Sequence, residues 1–341
     1  MGEDHDRLSE PAAAASGVDV LSDVLGSIRL SGSMLFLVDA TTPWVTWAPP
    51  AEAFRPAVLP SAQQLISYHI VTQGSCWAGL RGATPERFET GDVLVVPHGH
   101  AYFLAEPADA PDSYGPEQAV EFFRCMAAGK IPTTVNAGAG GTPHTQFICG
   151  FLGCRSRPFN PVLAALPSMI HLRAATPASV RMQPLIDFAI AELRDDAKGT
   201  RGVLLRLAEL MFVEVVRRQL AAAAGAPAGW LSGLHDRVVA RALAALHGEP
   251  ARRWTLDALA AQAGTSRSVL AERFTHHVGQ PPMQYLTQWR MQLATHELAQ
   301  PGSKLVAVAQ AVGYESEAAF SRAFKRAVGV PPADWRRHQS A

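Results

Sequence analysis

Apolar residues recur at helical spacing at both ends of this chain and at strand spacing between them. Val20, Leu21, Val24, Leu25 and Ile28 share one face of a helix expected over residues 18–30. From Gly32 the period shortens to that of strands. Short runs rich in β-branched and aromatic residues follow at 34–38, 44–47, 64–72, 76–80, 87–89 and 93–96, each bounded by turn-forming residues. Many short strands of this kind imply a sandwich or a barrel. Residues 107–141 are rich in Gly, Ala and Pro in parts and read as a long loop or insertion. A further strand is expected over 145–152, and from Val162 the helical period returns. The strongest helices are expected over 187–194 and 200–222. In the second, Val203, Leu204, Leu207, Leu210, Met211 and Val215 form a broad apolar face. That face suits packing against the strand layer and equally suits a dimer interface.

The last hundred residues contain an internal repeat. Leu256, Leu259, Ala260, Gly264, Phe274, Val278, Gly279, Pro281 and Pro282 are matched by Leu305, Val308, Ala309, Gly313, Phe324, Val328, Gly329, Pro331 and Pro332. The offset grows by one residue between Gly313 and Phe324. Each copy spells helix, tight turn, helix. In the first, Thr255 stands at a helix start and Gly264 at its end, where a left-handed residue is common. Ser266 then caps a second helix whose apolar face is expected to hold Val269, Leu270, Phe274 and Val278. In the second copy Ser316 caps a helix carrying Phe320, Phe324 and Val328. A single helix over 283–299 separates the copies. Two copies are too few for a solenoid, and point to one device used twice. In a helix-turn-helix the second helix enters the DNA major groove, N-terminal residues first.

Charge supports that reading once the chain is divided. The whole chain is neutral, but from Leu234 onward there are 13 Lys and Arg against 8 Asp and Glu, a net +5, which leaves −5 for the rest. A basic end on an acidic body is expected where one half meets phosphates. No apolar run approaches the length of a membrane span. Residues 1–17 are polar and Ala-rich without an apolar secretion segment, and are expected to be disordered. The four cysteines lack zinc-finger spacing and are expected to be reduced in a cytoplasmic protein.

The runs 264–274, 313–324 and 329–336 carry a resemblance to the DNA-binding domain of the AraC/XylS family of bacterial transcription regulators. The run 91–100, Gly-Asp followed by Val-Leu-Val-Val-Pro-His-Gly-His, resembles the second cupin motif. Residues 68–77, 147–150 and 160–163 also fit the cupin-like sensor half of one branch of that family. The resemblance implies an α+β multidomain protein. Residues 1–17 would be a disordered start, 18–222 a cupin-like β-barrel sensor with trailing helices, 223–235 a linker, and 236–338 an all-α domain with two helix-turn-helix motifs. It implies double-stranded promoter DNA and RNA polymerase as partners, a small-molecule effector, a homodimer, no membrane and no cofactor. The expected DNA-facing residues are Ser266, Arg267, Ser268, Ala271, Glu272 and Arg273 in the first copy. In the second they are Glu317, Ala318, Ser321, Arg322 and Lys325. Arg322 occupies the position where the family often has a base-reading Arg, and Glu272 departs from the basic residue often seen at its own.

The expected effector or redox residues are His69, Cys76, His98, His100, Tyr102 and Cys149. His and Cys side chains suit zinc, iron or copper, which leaves open a metal-dependent cupin enzyme fused to a DNA-binding module. The His98-Gly99-His100 pair lies after its strand and in the second motif, a poor match to metal-binding cupins. The branch also often has a His where Tyr102 stands. Cys76 and Cys149 leave open a thiol switch. No catalytic residue is expected.

Overall fold

The computed structural model describes residues 18–110, 115–155, 159–174, 181–195 and 197–340. Strand alternation explains its first half. In β3 (Gln64–Gln73) every residue from Leu65 to Val71 is buried. Successive side chains leave a strand on opposite faces, so both faces must be covered. Ile66, Tyr68 and Ile70 enter one core, and Leu65 and Val71 enter another. The same division holds in β1 (Arg29–Thr41), in β6 (Val93–Val96) and in β9 (His144–Arg155). These four strands form a six-stranded sheet with β8 (Thr134–Gly138) and β10 (Ile170–Leu172), in the order β10-β6-β3-β9-β1-β8. All neighbours are antiparallel except β1 and β8.

A second sheet of four strands faces the inter-sheet core. Its order is β2 (Trp44–Ala48), β7 (Tyr102–Glu106), β4 (Ser75–Leu80), β5 (Glu86–Glu89). The outer face of the larger sheet is covered by α5 (Gln183–Asp195) and α6 (Thr200–Ala222). The apolar face of α6 is narrower than its sequence suggests: Leu204, Leu207 and Met211 are buried, whereas Leu210 is 55% exposed.

Residues 107–141 are not one loop. They contain α3 (Pro116–Ala127) and β8. Gly115 precedes the helix, Pro116 opens it, and Gln118 accepts from Gly115 N–H at 2.9 Å. Phe123 and Met126 seal the inter-sheet core from this side, together with α2 (Ala51–Val58). No described helix is long and apolar enough to cross a membrane.

The C-terminal third is helical: α7 (Trp230–Gly233), α8 (Arg237–Gly248), α9 (Leu256–Ala263), α10 (Arg267–Val278), α11 (Pro282–Leu298), α12 (Leu305–Ala311), α13 (Glu317–Val328) and α14 (Pro332–Ser340). The stretch expected as linker contains α7, and its Trp230 and Leu231 are buried. The reason is a shared core. The cluster that covers the larger sheet continues without a break through Trp230, Leu243, Phe274, Tyr285 and Trp289.

Helix α1 (Val20–Ser27) and α4 (Pro161–Ala165) seat on the same cluster. Polar groups lock this junction. Gln292 donates to Ser27 O at 3.2 Å and accepts from Phe159 N at 3.2 Å. Tyr285 OH bonds His247 Nε2 at 2.8 Å and accepts from Trp230 Nε1 at 3.3 Å. Asp23 of α1 lies 3.5 Å from His247 Nδ1.

Candidate functional site

The repeat folds as two copies of one device, and the local chemistry of each copy sets its shape. In the first, Thr255 Oγ1 accepts from Ala258 N at 3.1 Å and starts α9. Gly264, at φ +70°, ends it in the left-handed region that residues with a Cβ avoid. Ser266 Oγ accepts from Val269 N at 3.4 Å and opens α10. In the second copy Gly313 makes the turn at φ +82°, and a Cβ there would meet Ala251 O at 2.6 Å. Ser316 Oγ accepts from Ala319 N at 3.2 Å and opens α13. Leu270, Phe274, Phe320 and Phe324 are fully buried. Val269, expected on the apolar face, is 38% exposed, because it lies about 100° before Leu270 around the helix.

The expected DNA-facing residues lie together on the outside of each second helix. Ser266, Arg267, Ser268, Glu272 and Arg273 are exposed, and Ala271 is half-buried. In α13 Glu317, Ala318, Arg322 and Lys325 are exposed, and Ser321 is half-buried. Their engagements differ. Arg267 sits 3.8 Å from Asp257 in an exposed pair. Arg273 pairs with Asp236, the cap of α8, which also accepts from Val238 N and Val239 N at 3.0 Å. Burial works against ionisation of that carboxyl, but the amide bonds and the guanidinium hold it below the ordinary carboxylate range. Arg273 thus ties α10 to α8. Arg322, Lys325 and Glu272 have no ion-pair partner among the described residues.

The two copies are clamped by α11. Arg290 of this helix donates to Pro250 O at 2.7 Å and to Arg252 O at 2.8 Å, and its guanidinium lies 6.0 Å from the Tyr314 ring. Arg253 pairs with Glu315. Tyr314 and Glu315 lie in the turn that carries the extra residue, so the insertion supplies the contacts that seat the second turn on the first copy.

The second site is a cavity of about 600 Å³ between the sheets, walled by β2, α3 and β8. The six sequence candidates divide here. His69, Tyr102 and Cys149 meet in the cavity lining: His69 Nε2 lies 2.7 Å from Tyr102 OH and His69 Nδ1 2.9 Å from Cys149 Sγ. Burial pushes the His69 imidazole down to about 3, so it is neutral, and pushes the Tyr102 phenol up. Burial, with Cys76 second, holds the Cys149 thiol well above its ordinary range.

Cys76 is buried on β4 outside the lining, pushed up to about 12 by burial first and Glu106 second. His98 bonds Leu166 O at 2.9 Å, and the His98 and His100 rings meet edge-on in the loop after β6, away from the cavity. Among the described residues no three His, Cys, Asp or Glu side chains converge as a metal-ligand set. Phe122, Phe123 and Asn136, which also line the cavity, were hidden in the stretch expected to be a loop. The Phe122-Phe123 pair behind a Gly-Pro helix start was the available signal.

Two exposed helix-turn-helix heads behind a double-sheet domain define a DNA-binding regulator with a cupin-like body. Comparison with known proteins agrees. A cupin family model matches residues 19–221 and a helix-turn-helix domain model matches residues 259–338. A putative AraC-like transcription regulator of Streptomyces lividans is 37% identical over 83% of this chain and 90% of its own length. A second, from Streptomyces antibioticus, is 34% identical over 83% of this chain and 91% of its own. The HTH-type transcriptional regulator AlkR of Acinetobacter baylyi is 29% identical over 94% of this chain and 99% of its own. The chain belongs to the AraC-like transcription regulators.

Proposed function

We propose that this regulator acts in the cytoplasm as a homodimer. Each protomer grips promoter DNA with both heads, and a small molecule entering the inter-sheet cavity changes that grip. RNA polymerase is the protein partner, and no catalytic step is assigned. The observation that carries the reading is the pair of exposed N-terminal helix turns held by one clamped helix. Such a pair suits successive major grooves, about 34 Å apart on one face of B-DNA.

Arg322 reads guanine O6 and N7 as a bidentate donor. Lys325 meets phosphate, with Glu317, Ala318 and Ser321 around them. In the first head Arg267, Ser268 and Ala271 face the groove. Glu272, at the position equivalent to Arg322, accepts from a cytosine N4 amino group. The exposed Leu210 and Phe188 of α6 and α5 support a dimer face there. A thiol switch has less support, because thiolate is the reactive form and burial suppresses it at Cys76 and Cys149. Gel shifts of promoter fragments across a salt series check the proposal. Selective binding whose logarithm falls linearly with the logarithm of salt is expected. Binding without sequence selection overturns it.

A further inference from the structure

Six arginines and no lysine lie in the first head, residues 236–278. Four of the six are already engaged. Arg252 pairs with Glu249 at 3.2 Å, Arg253 with Glu315, Arg267 with Asp257 at 3.8 Å, and Arg273 with Asp236. Arg237 and Arg241 of α8 are exposed and have no ion-pair partner among the described residues.

The helix-turn-helix of this head has no charge to spare. In α9 and α10 the two arginines, Arg267 and Arg273, are matched by two acids, Asp257 and Glu272. Duplex DNA carries one negative charge about every 1.7 Å of its axis, and a protein binds it by replacing counterions with its own cations. A neutral reading unit whose arginines are both paired gives that backbone little to hold.

Helix α8 contains the missing charge, and its placement says where it acts. Arg237 and Arg241 are four residues apart and share one face of the helix, which has no acidic residue along its length. Arg241 leans over the turn of the motif: a Cβ on Gly264 would lie 3.2 Å from its Nη1. Gly264 stands two residues before Ser266, the cap of α10. Arg237 follows Asp236, whose carboxylate holds Arg273 in the middle of α10. One free arginine therefore stands beside the start of α10 and the other beside its middle.

On the reading in which the first head lies on DNA, we propose that Arg237 and Arg241 hold the phosphates bordering the groove that α10 enters. A phosphate contact fixes register and carries no sequence information. The first head thus divides its tasks between two helices: α10 reads bases and α8 grips the backbone. An acid at Glu272 is tolerated because the phosphates are met elsewhere.

The electrostatic part of binding is independent of sequence, so a mixed-sequence duplex long enough for both heads is the probe. Anisotropy of the labelled duplex with the full-length chain is followed across a salt series. Arg237→Gln and Arg241→Gln should each reduce the slope of log affinity against log salt by about 0.9, which is roughly eightfold weaker binding at about 0.1 M salt and convergence on the parent near 1 M. Arg237→Lys and Arg241→Lys keep the charge and should restore the slope. Arg124→Gln, on α3 of the cupin-like body, removes the same charge and should leave it unchanged. Parent slopes in both Gln variants overturn the proposal. So does a slope that the Lys variants fail to restore, or one that falls only with Arg267→Gln. A promoter fragment with its first half-site scrambled separates the two levels. Unchanged slopes in a protein that still selects the first half-site sink the phosphate assignment alone, whereas a parent protein indifferent to that half-site loses the two-headed grip as well.

Discussion

The two DNA-reading heads are built alike and anchored differently. The first head, α8 to α10, has no core of its own. Leu243, Leu259, Leu270 and Phe274 belong to the cluster that also covers the six-stranded sheet. The second head, α12 to α14, closes around a separate small core of Val308, Val312, Phe320 and Phe324 with Met291 and Leu298 of α11. Its other ties to the first head include the Arg290 and Arg253 contacts. Rearrangement in the cupin-like body therefore reaches the first head directly through packed side chains, and the second at one remove, through α11 and the Arg253–Glu315 pair. Close-packed cores transmit strain, so one head is coupled to the cavity domain and the other is free to keep a fixed grip.

The contrast is broken most severely by Phe324→Ala. Emptying a fully buried aromatic site costs about 3–5 kcal/mol, and a core this small has little else to hold it. Hydrogen exchange should show residues 305–336 open while 256–278 stay protected. Equal loss of protection in both heads would show that they share one cooperative unit.

Arg322→Ala sharpens the contrast at the level of bases. It should relax choice at one base pair of the second half-site by about 1–3 kcal/mol, with the first half-site unchanged, as read by competition among operator variants. A uniform loss across all sequences would make Arg322 a phosphate contact. Glu272→Arg should move the preferred base at the equivalent position of the first half-site from cytosine toward guanine.

Acid gives the smallest and most selective effect. Burial lowers His247, at the junction of α1 with the first head, to about 3, against an ordinary 6.5. Between those values the unfolded chain binds a proton that the folded chain does not. This stability is therefore complete above pH 6.5 and falls as the pH drops, by at most about 1.4 kcal/mol per unit for the group. His69 adds the same trend in the cavity domain. Asp23, beside His247, is raised by burial first and by Asp19 second, and opposes the trend nearer its own ordinary 3.8. No buried His is found among the described residues of the second head. Thermal melts at pH 7 and 5.5, followed by exchange in each head, should show the first head loosening earlier. His247→Gln should flatten that slope.

The heads were legible in the sequence because their information is local. Ser266, Ser316, Gly264 and Gly313 mark helix ends by their own chemistry, and repetition confirms each mark. Four strands of the larger sheet, β1, β3, β6 and β9, were legible as apolar runs, whereas β8 fell in the stretch expected as a loop and β10 in the stretch expected as helical. Less could be read where composition misled. Gly and Pro flank α3, Pro50 and Pro56 lie beside and in α2, and β7 follows the His98-Gly99-His100 turn. Those elements contribute to the cavity walls and core, so half of the cavity was out of view. Of six candidates only His69, Tyr102 and Cys149 meet there, because convergence of separate strands depends on pairing over distances that no short motif records.

The length of α11 has a consequence for the DNA itself. Its 17 residues make a rod of about 25 Å, and the Arg290 and Arg253 clasps remove slack at the second turn. Two reading surfaces fixed on a rod sample the double helix at one phase. Adding about five base pairs between half-sites turns the second groove to the far side of the duplex, where a rigid pair of heads cannot follow. On the proposed two-headed grip, the operator of this protein is defined by spacing as much as by its letters, and a promoter with both half-sites in the wrong phase is no operator at all.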